Sequence, residues 1–82
     1  MREKIKEFIQ NNLLPLNGSV IKLDDNLFDF GLDSLKIMKL INFLEDEFQL
    51  IIPYEKVNPT QLQSINSITN LLDQLKKSGE AG

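Results

Sequence analysis

The chain contains no cysteine, no histidine and no tryptophan. Without cysteine it has no disulfide framework, no thiolate nucleophile and no Cys-ligated metal site. Without histidine it has no Ser-His-Asp triad, no imidazole base and no His-ligated metal. No apolar run approaches the roughly 18–20 residues of a membrane span. No apolar stretch of signal-peptide type follows Met1-Arg2-Glu3-Lys4, so the cytoplasm is the expected compartment. Twelve acidic residues stand against nine basic ones, a net charge of −3. That balance, with no basic stripe, argues against a nucleic acid partner.

What remains is a soluble-domain composition, 41% hydrophobic and 26% charged over 82 residues. This length fits one domain. It suffices for a small bundle but not for a deep enclosed active site. Residues 1–77 read as one unit. Ser78-Gly79-Glu80-Ala81-Gly82 reads as a frayed tail. Nothing suggests a coiled-coil seam, so a monomer is expected.

Apolar periodicity predicts three main helices. Ile5, Phe8, Ile9 and Leu13 share one face of a first helix over Arg2–Leu14, ended by Pro15 and Asn17-Gly18. Ile37, Ile41, Leu44 and Phe48 form the stripe of a second helix, near Ser34 to Phe48. Leu35, Met38, Leu40 and Phe43 fall off that stripe, and Lys36, Lys39 and Glu45 to Glu47 supply solvated positions. Ile65, Ile68, Leu72 and Leu75 mark a last helix, opened by Ser64 as N-cap. Lys76 and Lys77 suit its C-terminal dipole. Between Pro53 and Pro59, Tyr54 to Asn58 has room for about one helical turn. The expectation is all-α: a four-helix bundle of three main helices plus a short one.

A long connection joins the first two helices, Pro15 to Asp33. Loops of this length are unusual and often functional. It carries Val20, Ile21, Leu23, Leu27, Phe28, Phe30 and Leu32. These are expected to pack over the helix ends, Phe28 and Phe30 included. No partner strand accompanies Val20-Ile21-Lys22-Leu23, so the stretch reads as ordered coil, with a turn near Asp24-Asp25-Asn26.

The chemistry concentrates in Leu27-Phe28-Asp29-Phe30-Gly31-Leu32-Asp33-Ser34-Leu35-Lys36. Gly31 permits a sharp turn into the helix, and Asp33 is a natural N-cap. Ser34 then stands in the first turn, exposed and without a base, which makes it a poor nucleophile by itself. It is a good acceptor for a group attached by another enzyme. A phosphodiester on Ser34 would meet free N–H groups at the positive end of a helix. The bland alternative is that Asp33 and Ser34 only cap the helix. Asp24/Asp25 and Glu45-Asp46-Glu47 read as loop acids and a solvated face, so no catalytic pair and no enzyme activity are expected.

Gly31-Leu32-Asp33-Ser34-Leu35 resembles the G-x-D-S-L-type motif of the acyl and peptidyl carrier proteins. Leu27-Phe28, Glu45 to Phe48 with Ile51-Ile52-Pro53, and Ser64-Ile65 match the same family pattern. The likeness extends over residues 2–77. It implies a 4′-phosphopantetheine arm on Ser34, taken from coenzyme A, with intermediates held as thioesters on that arm. It implies that Asp33 is read by the phosphopantetheinyl transferase. Leu35, Met38 and Lys39 become candidates for a docking patch, with Tyr54, Lys56 and Val57 nearby. Further implied partners are an adenylating or acyl-loading enzyme and condensing, tailoring or thioesterase enzymes.

The resemblance departs from the fatty-acid type in one respect. Lys36 and Lys39 follow the Ser where that type is acidic. Gly31-Leu32-Asp33 also differs from the G-G-[HD] of most multidomain peptidyl carriers. The expectation is a discrete carrier of aminoacyl or peptidyl intermediates in nonribosomal or related secondary-metabolite synthesis. An acyl carrier for fatty-acid or polyketide intermediates is the alternative. A third is an unmodified helical module that binds through Leu35 and Met38.

Overall fold

Alternation of buried and solvated positions over residues 2–14 builds a rod with one apolar face. The computed structural model describes residues 2–14 and 20–77, with the side chain of Tyr54 outside that set. Helix α1 spans Arg2–Phe8 and continues as a wider π-helical turn, Ile9–Leu13. The Leu14 N–H donates to the Ile9 carbonyl at 3.0 Å and closes that turn. Ile5, Ile9, Leu13 and Leu14 are buried, with Phe8 packed at the margin. The expected Pro15 and Asn17-Gly18 stop lies outside the described residues, as does the tail 78–82.

Helix α2 spans Ser34–Phe48 and runs antiparallel to α1. Lys4 near the start of α1 pairs with Glu47 near the end of α2, Nζ to Oε2 2.8 Å. One turn further, the Phe8 and Phe43 rings stack at 4.0 Å with 10° between planes. The expected stripe on α2 needs correction. Leu40, Ile41 and Leu44 are buried, whereas Ile37 and Phe48 are only half-buried. Neighbours on more than one side of α2 cause this: α1 takes Phe43, and the segment after Pro53 takes Ile37. The buried arc is therefore wider than one stripe and is centred on Leu40 and Leu44.

α2 ends at Gln49, a non-glycine residue in the left-handed region at φ 54°. Its amide side chain donates to the Asp46 carbonyl at 2.7 Å, while the Glu45 carboxylate accepts from the Ile52 N–H at 2.9 Å. The first bond occupies a carbonyl that the helix end leaves free, and the second ties the chain beyond the helix back to it.

Between Pro53 and the last helix the chain makes two 3₁₀ turns, Tyr54–Lys56 and Pro59–Leu62. They replace the single turn expected over Tyr54–Asn58. A proline at each border leaves too few donors for an α-helical ladder. The Asn58 N–H donates to Gln61 Oε1 at 2.8 Å, and the Gln61 N–H donates back to the Asn58 carbonyl at 2.9 Å. Helix α3, Ile65–Lys77, then buries Ile65, Ile68, Leu71, Leu72 and Leu75. Ser64 caps it as expected, Oγ accepting from the Ser67 N–H at 3.1 Å.

The described part of the first connection, residues 20–33, is pinned to α3 and its approach. The Leu27 N–H donates to the Gln63 carbonyl at 2.7 Å, and the Asn66 N–H to the Leu23 carbonyl at 3.1 Å. The Asn66 side chain ties Arg2 to Asp24, accepting from one and donating to the other. Ile21, Leu27 and Leu32 are buried and Phe28 is half-buried. Val20, Leu23 and Phe30 are exposed, against the expectation that every apolar side chain here is covered. A domain of this size has too little interior for all of them, and successive extended residues such as Val20 and Ile21 point to opposite sides. Among the described residues the fold is all-helical, with three α-helices and no strand.

Candidate functional site

The site is built by a loop that stops hard against the start of α2. A 3₁₀ turn, Leu27–Phe30, opens at Asn26, whose Oδ1 accepts from the Phe28 N–H at 3.0 Å. Gly31 ends the turn at φ 107°, where a side chain is strained whatever the space around it. Its N–H donates to the Phe28 carbonyl and the Leu32 N–H to the Leu27 carbonyl, both at 3.2 Å. Leu32 is buried and anchors the chain just before it rises to the surface.

Asp33 is extended and caps α2, its Oδ1 accepting from the Lys36 N–H at 3.0 Å. Its carbonyl accepts from the Ile37 N–H at 2.8 Å. Ser34 is the first residue of the helix, and its side chain is exposed. The N–H groups of Ser34 and Leu35 precede the first intrahelical carbonyl partner. An oxyanion on Ser34 would therefore lie at the positive end of the helix. The hydroxyl, the cap and the open approach fit a phosphodiester.

Leu35 is 68% exposed and Met38 42% exposed, and Lys39 faces solvent beside them. With Ser34 they form one outward face over the first turns of α2. No acid lies on α2 before Glu45. Val57 is half-buried, and Lys56 is exposed. Tyr54 lies in the first of the two short turns, and its side chain is outside the described residues. Ile37, Glu55, Val57, Pro59 and Leu62 line a cleft of about 260 Å³ beside α2. The cleft brings Val57 to the flank of the Ser34 helix, whereas Leu35 and Met38 look away from the core.

Sequence reasoning missed one member of this site. Lys36 reads as a solvated position, yet its side chain folds back, and Nζ donates to the Gly31 carbonyl at 3.2 Å. The available signal was a lysine placed five residues after a glycine whose turn leaves its carbonyl unpaired by the helix. Phe30, expected in the core, instead stands 37% exposed just before Gly31.

Residues 3–75 match the family model of the phosphopantetheine attachment site. The chain belongs to this family. Membership implies a covalently bound 4′-phosphopantetheine arm. The chain is 32% identical over 71 residues to an acyl carrier protein of Clostridium acetobutylicum, covering 85% of this chain and 88% of that one. It is 32% identical over 65 residues to an acyl carrier protein of Campylobacter jejuni, covering 78% and 82%. It is also 37% identical over 79 residues to probable polyketide synthase 41 of Dictyostelium discoideum, covering 90% of this chain but only 3% of that protein. In fold it is similar to a chain in the crystal structure of Bradyrhizobium japonicum glycine:[carrier protein] ligase complexed with glycylated carrier protein. That match has a TM-score of 0.66 at 24% identity, covering 85% of this chain and 90% of the other. No described helix is long and apolar enough to cross a membrane.

Proposed function

We propose that this family member carries aminoacyl or peptidyl intermediates as thioesters on a phosphopantetheine arm anchored at Ser34. The observation that carries the anchor is the exposed Ser34 hydroxyl at the first position of α2, held by the Asp33 cap behind the Gly31 turn. The reactive thiol belongs to the arm, in keeping with a chain that has no cysteine. The chain's own residues bind and present; catalysis is left to its partners in the cytoplasm.

The cargo class is argued from charge. The outward face next to Ser34 offers Leu35, Met38 and Lys39, with acids only from Glu45 onward. A basic enzyme surface of the kind that meets acidic carriers would face like charge here, which is costly. The fold likeness to a chain in a glycine:[carrier protein] ligase complexed with glycylated carrier protein is in keeping with an amino acid as cargo and a ligase as loading enzyme. Condensing, tailoring or thioesterase enzymes would use the thioester next. The acyl carrier relatives favour a second reading, with fatty-acid or polyketide intermediates on the same arm.

Intact mass settles the anchor. After incubation with coenzyme A and a broad-specificity phosphopantetheinyl transferase, the native chain gains one phosphopantetheine and Ser34→Ala gains none. An unmodified native chain, with a known carrier modified in parallel, leaves Ser34 as the first residue of a helix capped by Asp33 and the chain as an unmodified interaction module. Charging of the armed chain by an adenylating ligase with an amino acid supports the aminoacyl reading. Charging only by an acyltransferase supports the second.

A further inference from the structure

Two lysines three residues apart on α2 have different surroundings. Lys39 is exposed on the face that carries Leu35 and Met38. Lys36 is half-buried and reaches back along the helix to the loop before Ser34. Both ends of Lys36 hold that loop: its N–H bonds Asp33 Oδ1 at 3.0 Å and its ammonium bonds the Gly31 carbonyl at 3.2 Å. Helical geometry puts Lys36 about 200° around the axis from Ser34 but only about 60° from Lys39, so the two lysines differ in where their ammonium groups go, not in the face they share.

We propose that Lys36 is a positioning residue for attachment of the arm, and that Lys39, not Lys36, supplies the docking charge. Gly31 stands at a positive φ and is joined to Ser34 by only two residues. The Lys36 ammonium is the contact that spans this corner from the helix side. Attachment requires the Ser34 Oγ to line up with the pantetheine phosphate of coenzyme A. The Oγ–P bond forms, the bond from that phosphorus to the bridging pyrophosphate oxygen breaks, and adenosine 3′,5′-bisphosphate leaves. The hydroxyl proton passes to a base of the transferase. A displacement of this kind is sensitive to small errors in the position of the attacking oxygen. A corner that wanders lowers the fraction of bound carrier in which Ser34 is aligned. That is a loss in kcat, because the Lys36 ammonium is engaged by the Gly31 carbonyl rather than offered to a partner. Removing Lys39 removes a rim charge and acts on encounter instead.

This inference rests on Ser34 being the attachment site. The test uses the full chain with coenzyme A and a broad-specificity phosphopantetheinyl transferase, with carrier concentration varied. Lys36→Met is expected to lower kcat about threefold to tenfold, the effect of one lost hydrogen bond, with KM within about twofold of native. Lys36→Arg keeps a donor of similar reach and is expected to recover most of kcat. Lys39→Met is expected to raise KM and spare kcat. Native kcat in a folded Lys36→Met overturns the proposal, as does a change confined to KM or a failure of arginine to rescue. Should Lys36→Met not fold, lysine ammonium NMR of the native chain decides. Slower proton exchange at Lys36 than at Lys39 supports the latch, and equal exchange overturns it. A native chain that takes no arm at all removes the Ser34 reading itself, a different result from any of these.

Discussion

The ammonium of Lys36 lies 3.2 Å from the carbonyl oxygen of Gly31, across the corner that delivers the chain to Ser34. An added Cβ on Gly31 would meet that same ammonium at 3.7 Å, an ordinary contact with the end of a flexible side chain. Space is therefore not what requires glycine here. Backbone conformation is.

Gly31→Ala is accordingly expected to destabilise the chain by about 1–2 kcal/mol, the cost of a left-handed residue with a Cβ. In a domain of this size that corresponds to a fall of roughly 4–15 °C in melting temperature. A thermal melt followed by circular dichroism checks it. A loss below about 0.3 kcal/mol would mean that the positive φ is not a constraint in solution.

Asp33 combines a cap with a charge, and two substitutions separate them. Asp33→Ala loses the bond from the Lys36 N–H and is expected to cost about 1 kcal/mol. Asp33→Asn caps comparably well, so its melting temperature should stay close to native. Its rate of phosphopantetheine attachment should fall about tenfold if the transferase reads the carboxylate through one charge-assisted hydrogen bond. Equal attachment rates for native and Asp33→Asn would leave Asp33 as a cap alone.

Leu35 and Leu40 test which way α2 faces. Leu40 is fully buried, so Leu40→Ala is expected to cost about 2–5 kcal/mol in urea unfolding. Leu35 is 68% exposed, so Leu35→Ala should stay within about 0.5 kcal/mol of native stability. A substantial loss from Leu35→Ala would place that side chain in the core and remove it from the docking face.

The Lys4–Glu47 pair gives a pH dependence. The hydrogen bond that Lys4 donates to the Glu47 carboxylate, and then the carboxylate's charge, hold the Lys4 ammonium above its ordinary pKa of 10.5. A raised folded pKa gives stability that is fully present below the unfolded value and fades as pH rises through the folded one. The difference between native and Lys4→Met should be small, because the pair is solvent-accessible. It should be constant at neutral pH and shrink above about 10.5. Urea midpoints measured between neutral pH and strongly alkaline pH check the direction; a difference that grows with pH contradicts it.

Much of this was legible from local pattern. Ile5, Ile9 and Leu13 at the start of the chain and Ile65, Ile68, Leu72 and Leu75 on α3 are buried as their spacing predicts, while Phe8 sits at the margin and α3 buries Leu71 as well. Asp33 and Ser64 cap where short polar residues precede those patterns. Other features were illegible for a physical reason. The arc of α2 that is buried depends on how many neighbours cover it, and no spacing within α2 reports that. Hence Leu40 moved to the centre of the core and Ile37 to the lip of a cleft. Phe30, Leu23 and Val20 stayed exposed because interior volume, set by the whole domain, ran out before the loop's apolar residues did.

The sequence by itself determined what chemistry is absent, where the helices run and which serine opens α2, because composition, periodicity and caps are local properties of the chain. Only the tertiary structure decided which arc of α2 is buried and which apolar residues of the first connection stay outside. Burial depends on how many neighbours cover a side chain and on the interior volume of the whole domain, and neither is a local property of the chain.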